Sequence, residues 1–396
     1  MLYAPGHVDC LPEEVGYDAS RVDVLHAHFQ KLMDQKKIQS ASYCISRYGK
    51  IFMHGAVGPL SFRGGDEPLL PTTAHRVASI TKAIVTVAIA KLVEDGMLRL
   101  DNPVGLFLSQ FNADPFNKID LYSLLTHTSG LHPDCASSLI PHHQSYWDRI
   151  GRYFESYDPA DGELDWISAA LGGGLSKKVG EEWQYCSFGF CLLGEVIKKV
   201  TGVSAEQYVE EQILKPLGMQ DSMFQLTPQL ASRFIIRSER QEQRLKDIIE
   251  GKQAEASPAE KLWENIPSTG GGLSSTPADL IRFANMTLGM GKLGETRILG
   301  RKTVEKFTTR ALYNTPDYCW GSNNPDRSYG IGFDMRRGSA FLYSPTSYSH
   351  EGAGACSMIM DPTEQLAAVW FVPFMDDNWH DEAIFNVTNI IWSGLQ

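Results

Sequence analysis

Ser79 and Lys82 stand three residues apart in HRVASITKAIVTVAIAKLVEDG, a stretch that begins at His75. From Ile80 to Val93 it reads as a helix built for burial, with Ile84, Val85, Val87, Ala88, Ile89, Leu92 and Val93 on a wide apolar face. Residues at i and i+3 share one face of a helix. Lys82 falls in the first turn, where the helix dipole favours anions over cations. A serine hydroxyl becomes a nucleophile when a neighbour takes its proton, and an amine can do that only when neutral. Burial and a helix N-terminus both lower a lysine's proton affinity. The pair therefore suits acyl transfer through a serine ester. Taken alone, S-x-x-K also fits a surface lysine near a helix start.

Two further stretches belong beside it. GEEWQYCSFGFCLLGEVIKKVTG places Tyr185 two residues before Ser187, just ahead of a second apolar helix. SHEGAGACSMIMDP places His350, Gly352 and Gly354 at the mouth of a strand. Cys186 and Cys191 read as packing residues. His127, His132 and the pair His142-His143 read as loop histidines, because no carboxylate-rich pattern of metal ligands surrounds them. No G-x-S-x-G elbow occurs, which argues against an α/β-hydrolase.

The elements that must position these residues can be read in outline. The chain has 396 residues, 43% of them apolar and 21% charged, enough for a large core and for two lobes or one domain carrying a big insertion. A formal net charge of −11 argues against nucleic-acid or anionic-membrane partners. No stretch approaches the roughly 18 apolar residues of a membrane span. The N-terminus lacks a basic segment followed by an apolar run, and seven scattered cysteines never form C-x-x-C. Both point to reduced thiols and a cytoplasmic protein without a secretory signal.

A helix is expected from Val22 to Lys36, then a hairpin turning at Tyr48-Gly49-Lys50. Helical patterns dominate from Ser79 to about Gly218. Strand character returns in CSMIMDP and QLAAVWFVPF, separated by a turn at Asp361-Pro362-Thr363-Glu364, and NWHDEAIFNVTNIIWSGL reads as a helix. The expected class is α+β. Residues 1–78 and 265–396 would form a mixed lobe with an antiparallel sheet, and 79–264 a mainly helical lobe. Two insertions are expected within the latter. Residues 132–166 carry Trp147, Tyr153, Phe154, Tyr157 and Trp166, which either pack on the helical lobe or wall an acyl pocket. Residues 238–263 read as a solvated helix pair or a flap over a site.

RVASITK, LLTHTSGL, YCSFGFCLLGEVIKKVTG, PLGM, TGGGLSSTPADLIRFA, YGIGF and HEGAG with IMDP occur in that order. Together they resemble the serine β-lactamase and penicillin-binding-protein superfamily, in the branch around class C β-lactamases, D-peptidases and β-lactamase-like esterases. The resemblance implies a β-lactamase/transpeptidase-like fold, an antiparallel sheet flanked by helices plus an all-helical lobe, with the active site between them. It implies Ser79 as acylated nucleophile, Lys82 as acceptor of its proton or as tuner of the network that accepts it, and Tyr185 as a phenolate-like proton shuttle, with His350 a further catalytic candidate and Ser187 and Glu351 facing substrate. The backbone N–H groups of Ser79 and Ala353 would form the oxyanion hole, with Gly352 and Gly354 keeping the strand clear of side chains. No metal or organic cofactor is implied.

Two departures bear on substrate. The family's Y-x-N asparagine is Ser187 here, and the K-T-G lysine and threonine are His350 and Glu351. A largely neutral histidine and an anionic glutamate are poor partners for the carboxylate of a penicillin. The resemblance so modified implies a serine hydrolase of esterase type acting on a small ester. The alternatives are a D-amino-acid peptidase or amidase on a short peptide, an acyltransferase or penicillin-binding protein with weak β-lactamase activity, and a non-catalytic ligand-binding relative. The oligomeric state stays open.

Overall fold

The computed structural model describes residues 2–136, 144–252, 257–335, 340–353, 356–373, 375 and 381–396. Its framework is a six-stranded antiparallel sheet drawn from two distant stretches of the chain. The early stretch gives β1 (Tyr3–Pro5), β2 (Ala41–Arg47) and β3 (Lys50–Val57). The late stretch gives β4 (Tyr348–Gly352), β5 (Cys356–Asp361) and β6 (Leu366–Phe371). The order is β1-β3-β2-β6-β5-β4, so β2 and β6 join the halves, with Cys44 opposite Val369. The β2–β3 turn is made by Tyr48 and Gly49, with φ of 53° and 77°. Two left-handed residues match such a turn to the right-handed twist of its strands.

The main helices are α1 (Ser20–Asp34), α2 (Ile80–Glu94), α3 (Tyr146–Ser156), α4 (Ser187–Thr201), α5 (Pro277–Leu288) and α6 (Val387–Trp392). Every residue of β5 and β6 is buried, because helices cover both faces of the sheet. That is why these strands read as continuous apolar runs rather than alternating ones. Tyr43, Ile45, Ile359, Ala368 and Trp370 pack beneath α1 and α6. Cys44, Met358, Val369 and Phe371 pack against α2, α4 and α5 in the larger core. The late helix expected over NWHDEAIFNVTNIIWSGL is divided, a wide π-type turn at Asp381–Asn386 leading into α6.

A short ribbon pairs His75 with Ser275 and Arg76 with Ser274 just ahead of Ser79. The aromatics of 144–166 pack on the helical side of the molecule. Tyr146 stacks on Phe188 of α4 at 4.3 Å, Trp166 meets the same ring at 6.0 Å, and Phe154 meets Trp263 edge-on at 5.2 Å. Residues 239–249 and 258–262 are helices. No helix among the described residues is long and apolar enough to cross a membrane.

Candidate active site

Ser79 caps α2 by position, but its hydroxyl makes no capping hydrogen bond and is left for other work. The residue before it, Ala78, holds φ at 45°, a left-handed conformation that a side chain disfavours. The turn is braced through Thr81. Its hydroxyl donates to the Ala78 carbonyl at 2.6 Å and accepts the Leu273 N–H at 3.1 Å. Val77 N–H donates to the Leu273 carbonyl at 2.9 Å.

Lys82 is 0% exposed, among the largest side chains wholly removed from water. Its Nζ donates to Ser79 Oγ at 3.0 Å and to the Gly270 carbonyl at 2.5 Å. The ammonium also lies over the rings of Tyr185 and Phe190, at 4.9 and 5.7 Å. Burial lowers its pKa to about 8, against the opposing pull of the Asp134 carboxylate. On the order of a tenth of Lys82 is therefore neutral at pH 7.

Tyr185 lies two residues before α4, its ring 4.5 Å from His127 and 5.3 Å from Trp320. Burial pushes the phenol well above its ordinary pKa, with the nearby Asp134 and Asp334 carboxylates adding to the effect and a hydrogen bond with Ser79 opposing it. This corrects the expectation of a phenolate-like oxygen. In so apolar and acidic a setting the hydroxyl keeps its proton.

His350 lies on β4, buried, with Nδ1 2.8 Å from the Glu351 carbonyl. A carbonyl only accepts, so Nδ1 carries the proton and Nε2 keeps its lone pair. Burial first, then repulsion from Lys82, lowers its pKa to about 4, so the ring is neutral. A Cβ on Gly352 would come 2.1 Å from the Val77 carbonyl, so the strand can press on the turn at Ala78 only as glycine.

Ser79, Tyr185, His350, Glu351, Gly352 and Ala353 line one cavity of about 640 Å³. Ser187 is turned aside. Its hydroxyl and N–H both donate to Asp134, which lines the cavity in its place. None of Trp147, Tyr153, Phe154, Tyr157 and Trp166 lines it, nor does any described residue of 238–263; of the two readings given for each segment, packing on the helical lobe and a helix pair away from the cavity fit, though Asp134 of 132–166 does line it. Gly354, His142 and His143 lie outside the described residues. Among the described residues no group of three or more His, Cys, Asp or Glu could hold a metal ion.

Sequence reasoning missed a second set of lining residues, Asp134, Trp183, Asp317, Trp320, Arg327 and Asp334. Arg327 pairs with Asp334 at 2.8 Å and Asp317 at 3.4 Å while its guanidinium lies 4.3 Å over Trp183. None lies in a long helix or strand, where a hydrophobic period would mark its position.

The family model for beta-lactamase matches residues 25–384. Esterase EstB from Burkholderia gladioli is 33% identical over 213 residues, covering 52% of each chain. The chain thus spans about half the length of that relative. Among solved structures, EstCE1, described as a hydrolase with promiscuous acyltransferase activity, superposes with a TM-score of 0.74 at 19% identity over 94% of this chain and 98% of its own. A family VIII carboxylesterase does so with a TM-score of 0.71 at 16% identity over 98% and 100%. These structural likenesses speak for the fold, and the family match extends over nearly the whole chain: the protein belongs to the beta-lactamase family.

Proposed function

We propose that the protein is a serine hydrolase that cleaves small carboxylic esters through an acyl-enzyme on Ser79. One observation carries the reading: a wholly buried lysine, its pKa lowered to about 8, donates to a serine hydroxyl at 3.0 Å that is free of capping duty. In its neutral form Lys82 takes the Ser79 proton as Oγ attacks the ester carbonyl. The protonated Tyr185 hydroxyl passes a proton to the departing alcohol and regains one from Lys82. The N–H groups of Ser79 and Ala353 would hold the developing oxyanion. Water then repeats the attack on the acyl-enzyme. The relation to EstB supports an ester as substrate. An alcohol in place of water would give acyl transfer. All seven cysteines are thiols, which suits a reducing, cytoplasmic setting.

A second reading, hydrolysis of an amide beside a free amine, is favoured by the carboxylates on the cavity wall, Asp134 and Glu351 among them. The test is turnover of p-nitrophenyl butyrate, D-alanine p-nitroanilide and nitrocefin by wild type and Ser79→Ala. Fast ester cleavage lost in the variant is expected. Preference for the anilide would replace the ester reading by the amidase one, and equal activity of the variant would overturn both.

A further inference from the structure

Two of the seven cysteines share a small buried cluster beside the Ser79 cavity, and one of them, Cys319, lines it. Cys135 follows Asp134 in one loop, and Cys319 lies in another, between the cavity-lining residues Asp317 and Trp320. Both are 4% exposed and share one apolar cluster with Trp183, Leu312 and Tyr329, against which Tyr185 packs. The two thiols hydrogen-bond to each other. The Cys319 sulfur also lies 3.9 Å from the Trp183 carbonyl oxygen, and Cys319 lines the cavity itself. A small oxidant that enters the site therefore has a path to the pair.

The pair also differs in chemistry from the other cysteines. Cys319 donates its proton towards Cys135, which lowers the Cys135 pKa to about 7 and raises that of Cys319. Burial raises the thiols of Cys44, Cys186, Cys191 and Cys356, and to a lesser depth Cys10. A thiolate is the reactive form of cysteine, and a resolving thiol beside it converts oxidation into a disulfide.

We propose that Cys135 and Cys319 are a redox-reactive dithiol that hydrogen peroxide converts into a disulfide across one wall of the Ser79 cavity. The Cys135 thiolate attacks a peroxide oxygen, the O–O bond breaks, and hydroxide leaves a sulfenic acid. The Cys319 sulfur then attacks the sulfenyl sulfur. The S–S bond forms, the S–O bond breaks, and the departing hydroxide takes the Cys319 proton as water. In sum, two thiols and one peroxide give one disulfide and two waters, with sulfur oxidised and peroxide reduced. The new bond ties the loop that carries Asp134 to the loop that carries Trp320, drawing the cavity mouth inward. Only this last consequence rests on the ester-hydrolase reading.

The test uses the whole protein. It is treated with hydrogen peroxide, blocked with N-ethylmaleimide, digested and analysed by mass spectrometry. A cross-linked peptide joining Cys135 to Cys319, with the other five cysteines still alkylated and full reversal by dithiothreitol, is expected. In Cys319→Ser, dimedone should trap a sulfenic acid at Cys135. Oxidised protein should hydrolyse p-nitrophenyl hexanoate at least about threefold more slowly than reduced protein, with a smaller loss for the acetate. Absence of the cross-linked peptide, or oxidation of Cys135 no faster than of the other cysteines, would overturn the proposal. Because the peptide readout needs no turnover, it stands even for a protein with no esterase activity.

Discussion

The Ser187 hydroxyl donates to Asp134 Oδ2 at 2.6 Å while the Ser187 N–H donates to Oδ1 at 2.9 Å. Ser187, itself turned from the cavity, thereby fixes a carboxylate on the cavity wall. That carboxylate raises the Lys82 pKa, the largest effect working against burial. Asp134→Asn should therefore move the acid limb of the rate profile to lower pH. At pH 7 kcat/KM, taken relative to its own high-pH plateau, should rise by about twofold or more. An unmoved limb would separate Asp134 from Lys82.

The lysine sets its own pH signature. With Lys82 at about 8 and His350 at about 4, kcat/KM should rise about tenfold per pH unit up to pH 7 and level off above about pH 8.5. A limb centred near pH 4 would move the base to His350. Stability follows with a definite sign. The folded-state pKa lies below the unfolded value of 10.5, so between about 8 and 10.5 the unfolded chain binds more protons and stability rises with pH. Chemical-denaturation midpoints should show that rise, and Lys82→Met should flatten it.

Gly352 meets the Val77 carbonyl so closely that a methyl group would lie 2.1 Å from it. Since the obstacle is backbone, either the strand or the turn must shift. Gly352→Ala is expected to destabilise the fold by about 1–3 kcal/mol. It should also lower kcat by at least about tenfold, by displacing one wall of the site from Ser79. Thermal unfolding and ester turnover check both; wild-type values would mean the strand bears no fixed relation to the serine.

Trp320 is 61% exposed yet held with φ at 51°, its ring 5.3 Å from Tyr185 at the cavity wall. Such a residue offers apolar surface to an entering acyl chain. Trp320→Ala should raise KM for p-nitrophenyl hexanoate about three- to tenfold and leave the acetate nearly unchanged, the difference reflecting lost apolar contact. Equal effects on both esters would assign Trp320 to the shape of the loop instead.

Residue types and periods made much of this legible. The apolar repeat of α2 marks its buried faces, and Gly49 marks the hairpin because a left-handed turn position selects glycine, while Tyr48 takes up the same conformation against its preference. The turn after β5 is written in Asp361, whose Oδ1 accepts the N–H groups of Thr363 and Glu364. Ser79, Lys82 and Tyr185 stand out through motif and spacing. Asp134 does not, because its place depends on the Tyr185 carbonyl accepting its N–H at 2.8 Å across a long stretch of chain. The three-residue β1 is too short for any alternation to declare itself. The aromatics of α3 carry no mark of which partner they choose, and Phe188 and Trp263 claim them by packing.

The ribbon of His75–Arg76 with Ser274–Ser275, the Lys82–Gly270 contact and the approach of Gly352 to Val77 all join segments made far apart in time on the ribosome. A nascent chain can form α2 early, but Lys82 acquires its dry surroundings only when the segment around Gly270 arrives. The cleft gains its second wall later still, with β4. Contacts of such long sequence separation close slowly. Ser79 thus stands in an unfinished setting through most of synthesis, and the cleft around it is completed only as one of the last events of folding.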